Sequence, residues 1–161
     1  MHVRIAEPAD LEGVTGLINE AFKVERFFIE SDRINLDSVR ELAAKGQFIL
    51  LCDTDGLAGC VYVEIHGERA YVGLLSVDPG RQRSGAGSRL MQAAEEQSLA
   101  AGCRFADLRI VNIRQELPGF YHRLGYREIG TAPFTPGIVT KLPCHFVEMT
   151  KALDRASEAA G

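Results

Sequence analysis

Between residues 47 and 111 the spacing of apolar residues changes from that of strands to that of a helix and back again. This pattern limits the possible folds more than any other part of the sequence. Three apolar runs separated by short polar turns predict strands at residues 48–52, 59–66 and 71–77. Because turns this short connect neighbouring strands, these three strands are expected to form an antiparallel meander.

The third strand is followed by a different kind of connection. Residues 78–84 are polar, residues 85–101 show helical spacing, and Gly102 ends the helix. The predicted apolar stripe of this helix consists of Leu90, Met91, Ala94 and Leu99. Residues 105–111 then form another strand, so a strand, a crossover helix and a strand set two strands parallel and adjacent or nearly so.

The remaining segments complete the predicted order β-α-α-β-β-β-α-β-α-β-β. They are a strand at residues 3–6, helices at 8–22, 37–44 and 115–124, and strands near 126–130 and 145–150. This order predicts an α/β domain with a single mixed, mainly antiparallel sheet flanked by helices, not a doubly wound fold. A chain of 161 residues fits one domain, expected over residues 1–153, with a tail at 154–161.

Composition excludes several functional classes. With 18 basic and 22 acidic residues, the net charge of −4 gives no broad basic surface for nucleic acid. No apolar run approaches the roughly 18 residues of a membrane span, and the first residues lack a signal-peptide pattern, so we expect a cytoplasmic protein. The four cysteines and four histidines lack metal-ligand spacing, so we expect no metal and read three cysteines as buried apolar residues.

The turn at residues 75–88 carries the clearest chemical signal. Gly85 and Gly87 open a helix, whose first amides have no intrahelical acceptor and lie at the positive end of the helix dipole. Glycine has no side chain, so an anion can reach these amides, and Arg81 and Arg83 add positive charge at the rim. The turn therefore predicts a site for a pyrophosphate or a similar anion.

Other interpretations of this turn are a tight strand-to-helix connection with solvated arginines, or another phosphate motif. A P-loop would need a lysine that is missing, and Leu90 occupies the third glycine position of a dinucleotide motif. The pattern that fits is Q/R-x-x-G-x-G/A at residues 82–87, directly after the strand at 75–77.

Together with Asn112 and the downstream segment 120–126, this motif resembles the GCN5-related N-acetyltransferase (GNAT) superfamily over nearly the whole chain. The resemblance implies the acyl-CoA N-acyltransferase fold, with splayed parallel strands at the cofactor site. It also implies an enzyme that transfers the acetyl group of acetyl-CoA to a primary amine, by direct attack in a ternary complex and without a metal.

The resemblance also implies roles for individual residues. The backbone of Leu75, Ser76 and Val77 would pair with the pantetheine arm of acetyl-CoA. The pyrophosphate would be held by backbone amides of Arg83, Ser84, Gly85, Ala86, Gly87 and Ser88. Asn112 matches an asparagine that contacts the cofactor near its arm. Tyr121 matches a tyrosine near the thioester sulfur, and a phenol with a pKa near 10 can protonate a thiolate; a core aromatic is the alternative.

The proton acceptor for the amine is less clearly marked. Many relatives carry a glutamate on the strand before the cofactor turn, but residues 71–74 contain no carboxylate. Glu64 on the neighbouring strand is the candidate catalytic base, with a solvated strand face as the alternative, and His66 is a weaker candidate.

The family resemblance places the acceptor between residues 24–35 and residues 131–145. Aromatic walls with an arginine suit a small amine that bears a carboxylate or an apolar group, and the two segments offer Phe27, Phe28, Arg26 and Arg33, and Pro133, Phe134, Pro136 and Pro143. The alternative is an arm that simply packs its phenylalanines. A protein N-terminus or a lysine side chain remains an open alternative, as does a non-catalytic acyl-CoA-binding module. Many relatives are dimers, so a homodimer is a further expectation.

Overall fold

One sheet runs through the computed structural model, which describes residues 1–81 and 84–153. Its strands are β1 (His2–Ile5), β2 (Gln47–Asp53), β3 (Gly56–His66), β4 (Arg69–Val77), β5 (Phe105–Val111), β6 (Arg127–Pro133) and β7 (His145–Ala152). The α-helices are α1 (Leu11–Ala21), α2 (Leu36–Lys45), α3 (Ala86–Ala100) and α4 (Leu117–Arg123). The predicted tail at 154–161 lies outside the described residues.

The seven strands lie in the order β1-β2-β3-β4-β5-β7-β6. The β4–β5 pair is parallel and the other neighbouring pairs are antiparallel, which confirms the mixed sheet, the meander and the strand–helix–strand unit. The first predicted helix begins later than expected. Residues Pro8–Asp10 form a 3₁₀ turn, in which the Asp10 carboxylate accepts a hydrogen bond from the Glu7 amide, and the α-helix starts at Leu11.

Side chains of the central strands alternate between two apolar layers. Val61 and Val63 of β3 pack toward α3, whereas Tyr62 packs with α1 and α2 on the opposite face. The predicted stripe of α3 needs one correction, because Leu99 is only half-buried and Ser98 takes the buried position. The Ser98 hydroxyl is accommodated there because it donates to the carbonyl of Ala94 (2.7 Å).

The contact between α3 and the sheet depends on a glycine in β3. A Cβ atom at Gly59 would lie 2.8 Å from Leu90 Cδ1 and 2.9 Å from the Ser76 carbonyl oxygen. We therefore expect Gly59→Ala to lower the free energy of unfolding by about 1–3 kcal/mol, the usual cost of overpacking a core. Urea unfolding of the purified variant measures this loss.

The matched control is Gly16→Ala on α1, where a Cβ atom would have no neighbour within 4 Å. Alanine is the better helix former, so this variant is expected to gain about 0.5–1 kcal/mol. Equal stability of the Gly59→Ala variant and the wild type would contradict the packing described for α3.

Two further predictions from the sequence concern membrane-spanning segments and the burial of the cysteines. Within the described part of the chain, every helix is too short or too polar to cross a bilayer. Cys52, Cys60 and Cys103 are buried, as predicted, and Cys144 is partly buried.

Candidate active site

The parallel pair of strands separates after three residues, and this separation opens the site. Only residues 69–71 of β4 pair with residues 105–107 of β5, although both strands continue beyond this point. The pairing of β4 with β3 shifts its register between Cys60 and Tyr62 of β3. On β4, opposite this shift, Leu74 has a φ of 54°. Such a bulge bends a strand and increases its twist, so β4 turns away from β5.

A cavity of about 450 Å³ fills the gap between the separated strands. Its walls come from β4, β5, the start of α3, helix α4 and the segment that follows α1. Of the predicted site residues, the cavity is lined by Leu75, Val77, Gly85, Ala86, Gly87, Ser88 and Tyr121. The fold therefore brings the glycine turn and the tyrosine into one space, although they are far apart in the sequence.

The N-terminus of α3 faces this cavity and is open to an anion. Gly85 has a φ of +81°, a conformation that side chains disfavour, and a Cβ atom there would meet nothing within 4 Å. The Arg89 amide donates to the Gly85 carbonyl, while the amides of Ala86, Gly87 and Ser88 precede the first intrahelical bond. These donors, at the positive end of a 15-residue helix, suit an anionic group such as a diphosphate.

The arginines at the rim differ from the prediction. Arg81 lines the cavity, but its guanidinium donates to Asp53 (2.6 and 3.0 Å) and Asp78 (2.9 Å), so two carboxylates already neutralise its charge. The expectation that Arg81 adds free positive charge is therefore wrong. Arg83 lies outside the described residues. Ser84 does not line the cavity, and its hydroxyl donates to the Arg81 carbonyl.

The free edge of β4 forms one wall of the cavity. Beyond Tyr71, this strand is hydrogen-bonded to β3 on one side and has lost β5 on the other. Leu75 and Val77 line the cavity, whereas the side chain of Ser76 is buried on the other side and donates to the Leu74 carbonyl (2.9 Å). An extended arm could add to this edge as a further strand, which fits the predicted role of residues 75–77.

Tyr121 projects from α4 into the same cavity and is 8% exposed. Its ring packs edge-to-face against Phe120 (5.0 Å between centroids) and Tyr126 (5.9 Å), which fixes its orientation. Burial raises the pKa of the Tyr121 phenol to about 12, against the lowering effect of the positive charge of Arg114. The hydroxyl is therefore protonated at neutral pH and available as a donor.

Asn112 and Glu64 lie outside the cavity wall. The Asn112 side-chain carbonyl accepts a hydrogen bond from the His145 amide (2.8 Å), which ties the end of β5 to the start of β7. Tyr62 donates to Oε1 of Glu64 (2.6 Å), and His66 contacts its other oxygen. The Tyr62 hydrogen bond is the main cause of the lowered pKa of Glu64, so this carboxylate is a weaker base than a free glutamate.

The two predicted acceptor segments contact each other, and both line the cavity at what we call its far end, through Arg33 in the first and through Phe134 and Thr135 in the second. Ile29 pairs with Thr140 as an isolated β-bridge, and the Lys141 amide donates to the Phe28 carbonyl (2.8 Å). Phe28 is nevertheless fully buried and Phe27 is 49% exposed, and neither lines the cavity. The aromatic side chains that do line it are Phe22, Tyr71, Phe120, Tyr121, Phe134 and Phe146.

Charged groups at this end include one that was not predicted. Glu25, on the 3₁₀ segment Phe22–Phe27, is 5% exposed and forms an ion pair with Arg114 (3.3 Å). Both line the cavity together with Arg33. A sequence signal for Glu25 does exist: it stands among the apolar residues Val24, Phe27 and Phe28, where a carboxylate is unexpected unless it has a partner.

Among residues 1–81 and 84–153, no group of three His, Cys, Asp or Glu side chains is placed to hold a metal ion.

Comparison with known proteins identifies what this arrangement resembles. The sequence profile of the acetyltransferase (GNAT) domain matches residues 44–128. Blasticidin-S acetyltransferase of Streptomyces morookaense is 35% identical over 88 residues, which are 53% of this chain and 63% of that protein. The match therefore spans less than two thirds of that relative.

Solved structures share the fold over nearly the whole chain. Ard1 from Thermoplasma volcanium superposes with a TM-score of 0.80 at 16% identity, covering 95% of this chain and 97% of that one. An aminoglycoside 6'-N-acetyltransferase complexed with coenzyme A superposes with a TM-score of 0.76 at 17% identity, covering 96% and 98%.

Proposed function

Because this chain belongs to the acetyltransferase (GNAT) family, we propose that it transfers the acetyl group of acetyl-CoA to a primary amine of a small molecule. The amine attacks the thioester directly while both substrates are bound. The observation that carries this proposal is the shared cavity, in which the glycine-opened N-terminus of α3 and the hydroxyl of Tyr121 flank two separated strands.

Acetyl-CoA is held mainly by the backbone in this proposal. The amides of residues 83–88 bind the diphosphate, and the open edge of Leu75, Ser76 and Val77 pairs with the pantetheine arm. Support comes from the open space at Gly85 and from the loss of β4–β5 pairing after residue 71. Asn112 already uses its carbonyl on His145, so its amide nitrogen is the group that it offers to the cofactor.

Tyr121 then serves the leaving group. As the carbon–sulfur bond breaks, negative charge develops on sulfur, and a neutral phenol can donate its proton there. The raised pKa keeps Tyr121 protonated at neutral pH. Burial also strengthens the interaction, because a hydrogen bond to a charged atom is stronger where the local dielectric is low.

The size of the cavity favours a small-molecule acceptor. The cavity has a volume of about 450 Å³, which is in the range of spaces that bind small ligands. Blasticidin-S acetyltransferase, the relative named above, acts on a small molecule according to its name. Arg33 lines this space and offers a cation to an acceptor that carries an anionic group.

The test is release of free thiol from acetyl-CoA in the presence of defined amines. We expect thiol release with at least one of blasticidin S and an aminoglycoside, and calorimetry should show acetyl-CoA binding without an acceptor. Peptides with a free N-terminus, or with lysine and a blocked N-terminus, test the protein-acetylation alternatives. Binding of intact acetyl-CoA with no transfer to any of these amines would instead favour a non-catalytic acyl-CoA-binding module.

A further inference from the structure

The far end of the cavity contains a carboxylate, Glu25, that has no part in binding acetyl-CoA or in protonating the thiolate in the proposed reaction. Glu25 is 5% exposed, lines the cavity, and its Oε2 atom receives a hydrogen bond from Arg114 (3.3 Å). Among the described residues, no donor contacts Oε1, and no buried side-chain oxygen is left without a partner. Oε1 therefore keeps some exposed surface, on a residue that lines the cavity.

The surroundings of Glu25 make it a better base than a free carboxylate. Burial raises its pKa, and the cations of Arg114 and Arg33 oppose this effect without cancelling it. Glu116 contributes a further negative charge from the loop before α4, and the thiol of Cys144 faces Glu25 from the segment before β7. A carboxyl group with a raised pKa holds a proton more firmly, which is the property that a general base requires.

Arg114 interacts electrostatically both with Glu25 and with Tyr121, the proposed proton donor. It follows β5 and precedes α4, and its positive charge lowers the pKa of both Glu25 and Tyr121. A second carboxylate, Glu116, also binds Arg114 (2.9 Å) from the exposed side. Arg114 is thus bound by two carboxylates, and it lines the same cavity as Glu25 and Tyr121.

We propose that Glu25 accepts the proton of the acceptor ammonium group, and that Arg114 is the positioning residue that holds the Glu25 carboxylate toward the cavity. This role rests on the proposed function, which supplies the amine and the thioester. It gives the reaction a base inside the cavity, where Glu64 does not lie.

The proton balance of the reaction is complete with these groups. The acceptor gives one ammonium proton to Glu25, and the neutral amine forms the carbon–nitrogen bond at the thioester carbonyl. The carbon–sulfur bond breaks, its electron pair goes to sulfur, and Tyr121 protonates the thiolate. A second proton from the amine nitrogen reprotonates Tyr121, and Glu25 releases its proton to solvent. The products are an amide, a free thiol and one proton.

The test compares wild type, Glu25→Gln and the matched control Glu30→Gln, with blasticidin S or the aminoglycoside as acceptor, whichever the wild type acetylates faster. We expect Glu25→Gln to lower kcat/KM about 100-fold or more at neutral pH, the usual range for a general base. Glu30 is an exposed carboxylate of the same segment that pairs with Lys141 (3.5 Å) and does not line the cavity, so Glu30→Gln should change kcat/KM less than threefold. Acetyl-CoA affinity and Tm report on folding in each variant.

The pH profile separates a base from a structural residue. The active form has ionised Glu25, so wild-type kcat/KM should rise with pH through the raised pKa of this group. The Glu25→Gln variant should lose this rise in kcat/KM. Its activity should increase only at higher pH, where the amine deprotonates without a base. Equal profiles for the two proteins, or a larger loss from Glu64→Gln than from Glu25→Gln, would overturn the proposal while leaving the proposed function intact.

A second measurement needs no acceptor. In protein labelled with [¹³C]glutamate, we expect one carboxyl signal to titrate above the ordinary value of about 4.3 and to vanish in Glu25→Gln. Titration of Glu25 at or below that value would overturn the proposal. A wild type that acetylates no amine would instead refute the proposed function, and the Glu25 role with it.

Discussion

Replacing Tyr121 with phenylalanine is expected to lower kcat about 100-fold or more and to leave the acetyl-CoA dissociation constant within about threefold. The substitution removes the proton donor for the thiolate but keeps the ring, which retains its packing against Phe120 and Tyr126. Steady-state thiol release gives kcat, and calorimetry gives the affinity for acetyl-CoA.

Tyr126→Phe provides the control for this result. Tyr126 is also buried, but its hydroxyl donates to Glu95 (3.0 Å) and it does not line the cavity. We expect this control to lose about 1 kcal/mol of stability with little change in kcat. If Tyr121→Phe weakened acetyl-CoA binding more than it lowered turnover, the role given to Tyr121 would be wrong.

The second large effect is expected from Gly87→Val, which should weaken acetyl-CoA binding by at least about tenfold and up to about 150-fold. A Cβ atom at this position would already lie 3.4 Å from Phe120 Cζ and 3.9 Å from Leu75 Cδ2, so a valine would project into the cavity. It would keep the diphosphate from the first amides of α3, and each hydrogen bond to a charged group contributes about 1.5–3 kcal/mol. Calorimetric titration measures the change.

Gly13→Val is the matched control, because Gly13 also lies in the first turn of a helix. Its Cβ atom would meet only Leu57 Cδ2 at 3.9 Å, away from the cavity. This control makes the same change in helix propensity but should keep the wild-type affinity for acetyl-CoA. Wild-type affinity in Gly87→Val would contradict binding of the diphosphate at α3.

Local periodicity was sufficient to predict the architecture. Alternation in β3 separates Val61 and Val63 from Tyr62, and the polar connection after Val77 leads to a helix and a parallel strand, as the structure has it. These features depend on neighbours in the sequence. The position of Ser98 in α3 does not, because its burial depends on a hydrogen bond that apolar patterning ignores.

The candidate site was predicted only where its residues form a local motif. The glycine turn and Tyr121 line one cavity, whereas their roles toward acetyl-CoA stay predictions. The charges were not predictable, because their partners are distant: Arg81 meets Asp53 across 28 positions, and Arg114 meets Glu25 across 89. Such pairs decide which cation is neutralised and which carboxylate faces the cavity, and only the folded chain brings them together.

A crystal structure of the protein grown with acetyl-CoA tests the central claim most directly. We expect to find the diphosphate on the amides that open α3, the pantetheine arm along the free edge of β4, and the thioester sulfur within hydrogen-bonding distance of the Tyr121 hydroxyl. Density for the diphosphate away from α3, or a sulfur atom remote from Tyr121, would contradict it.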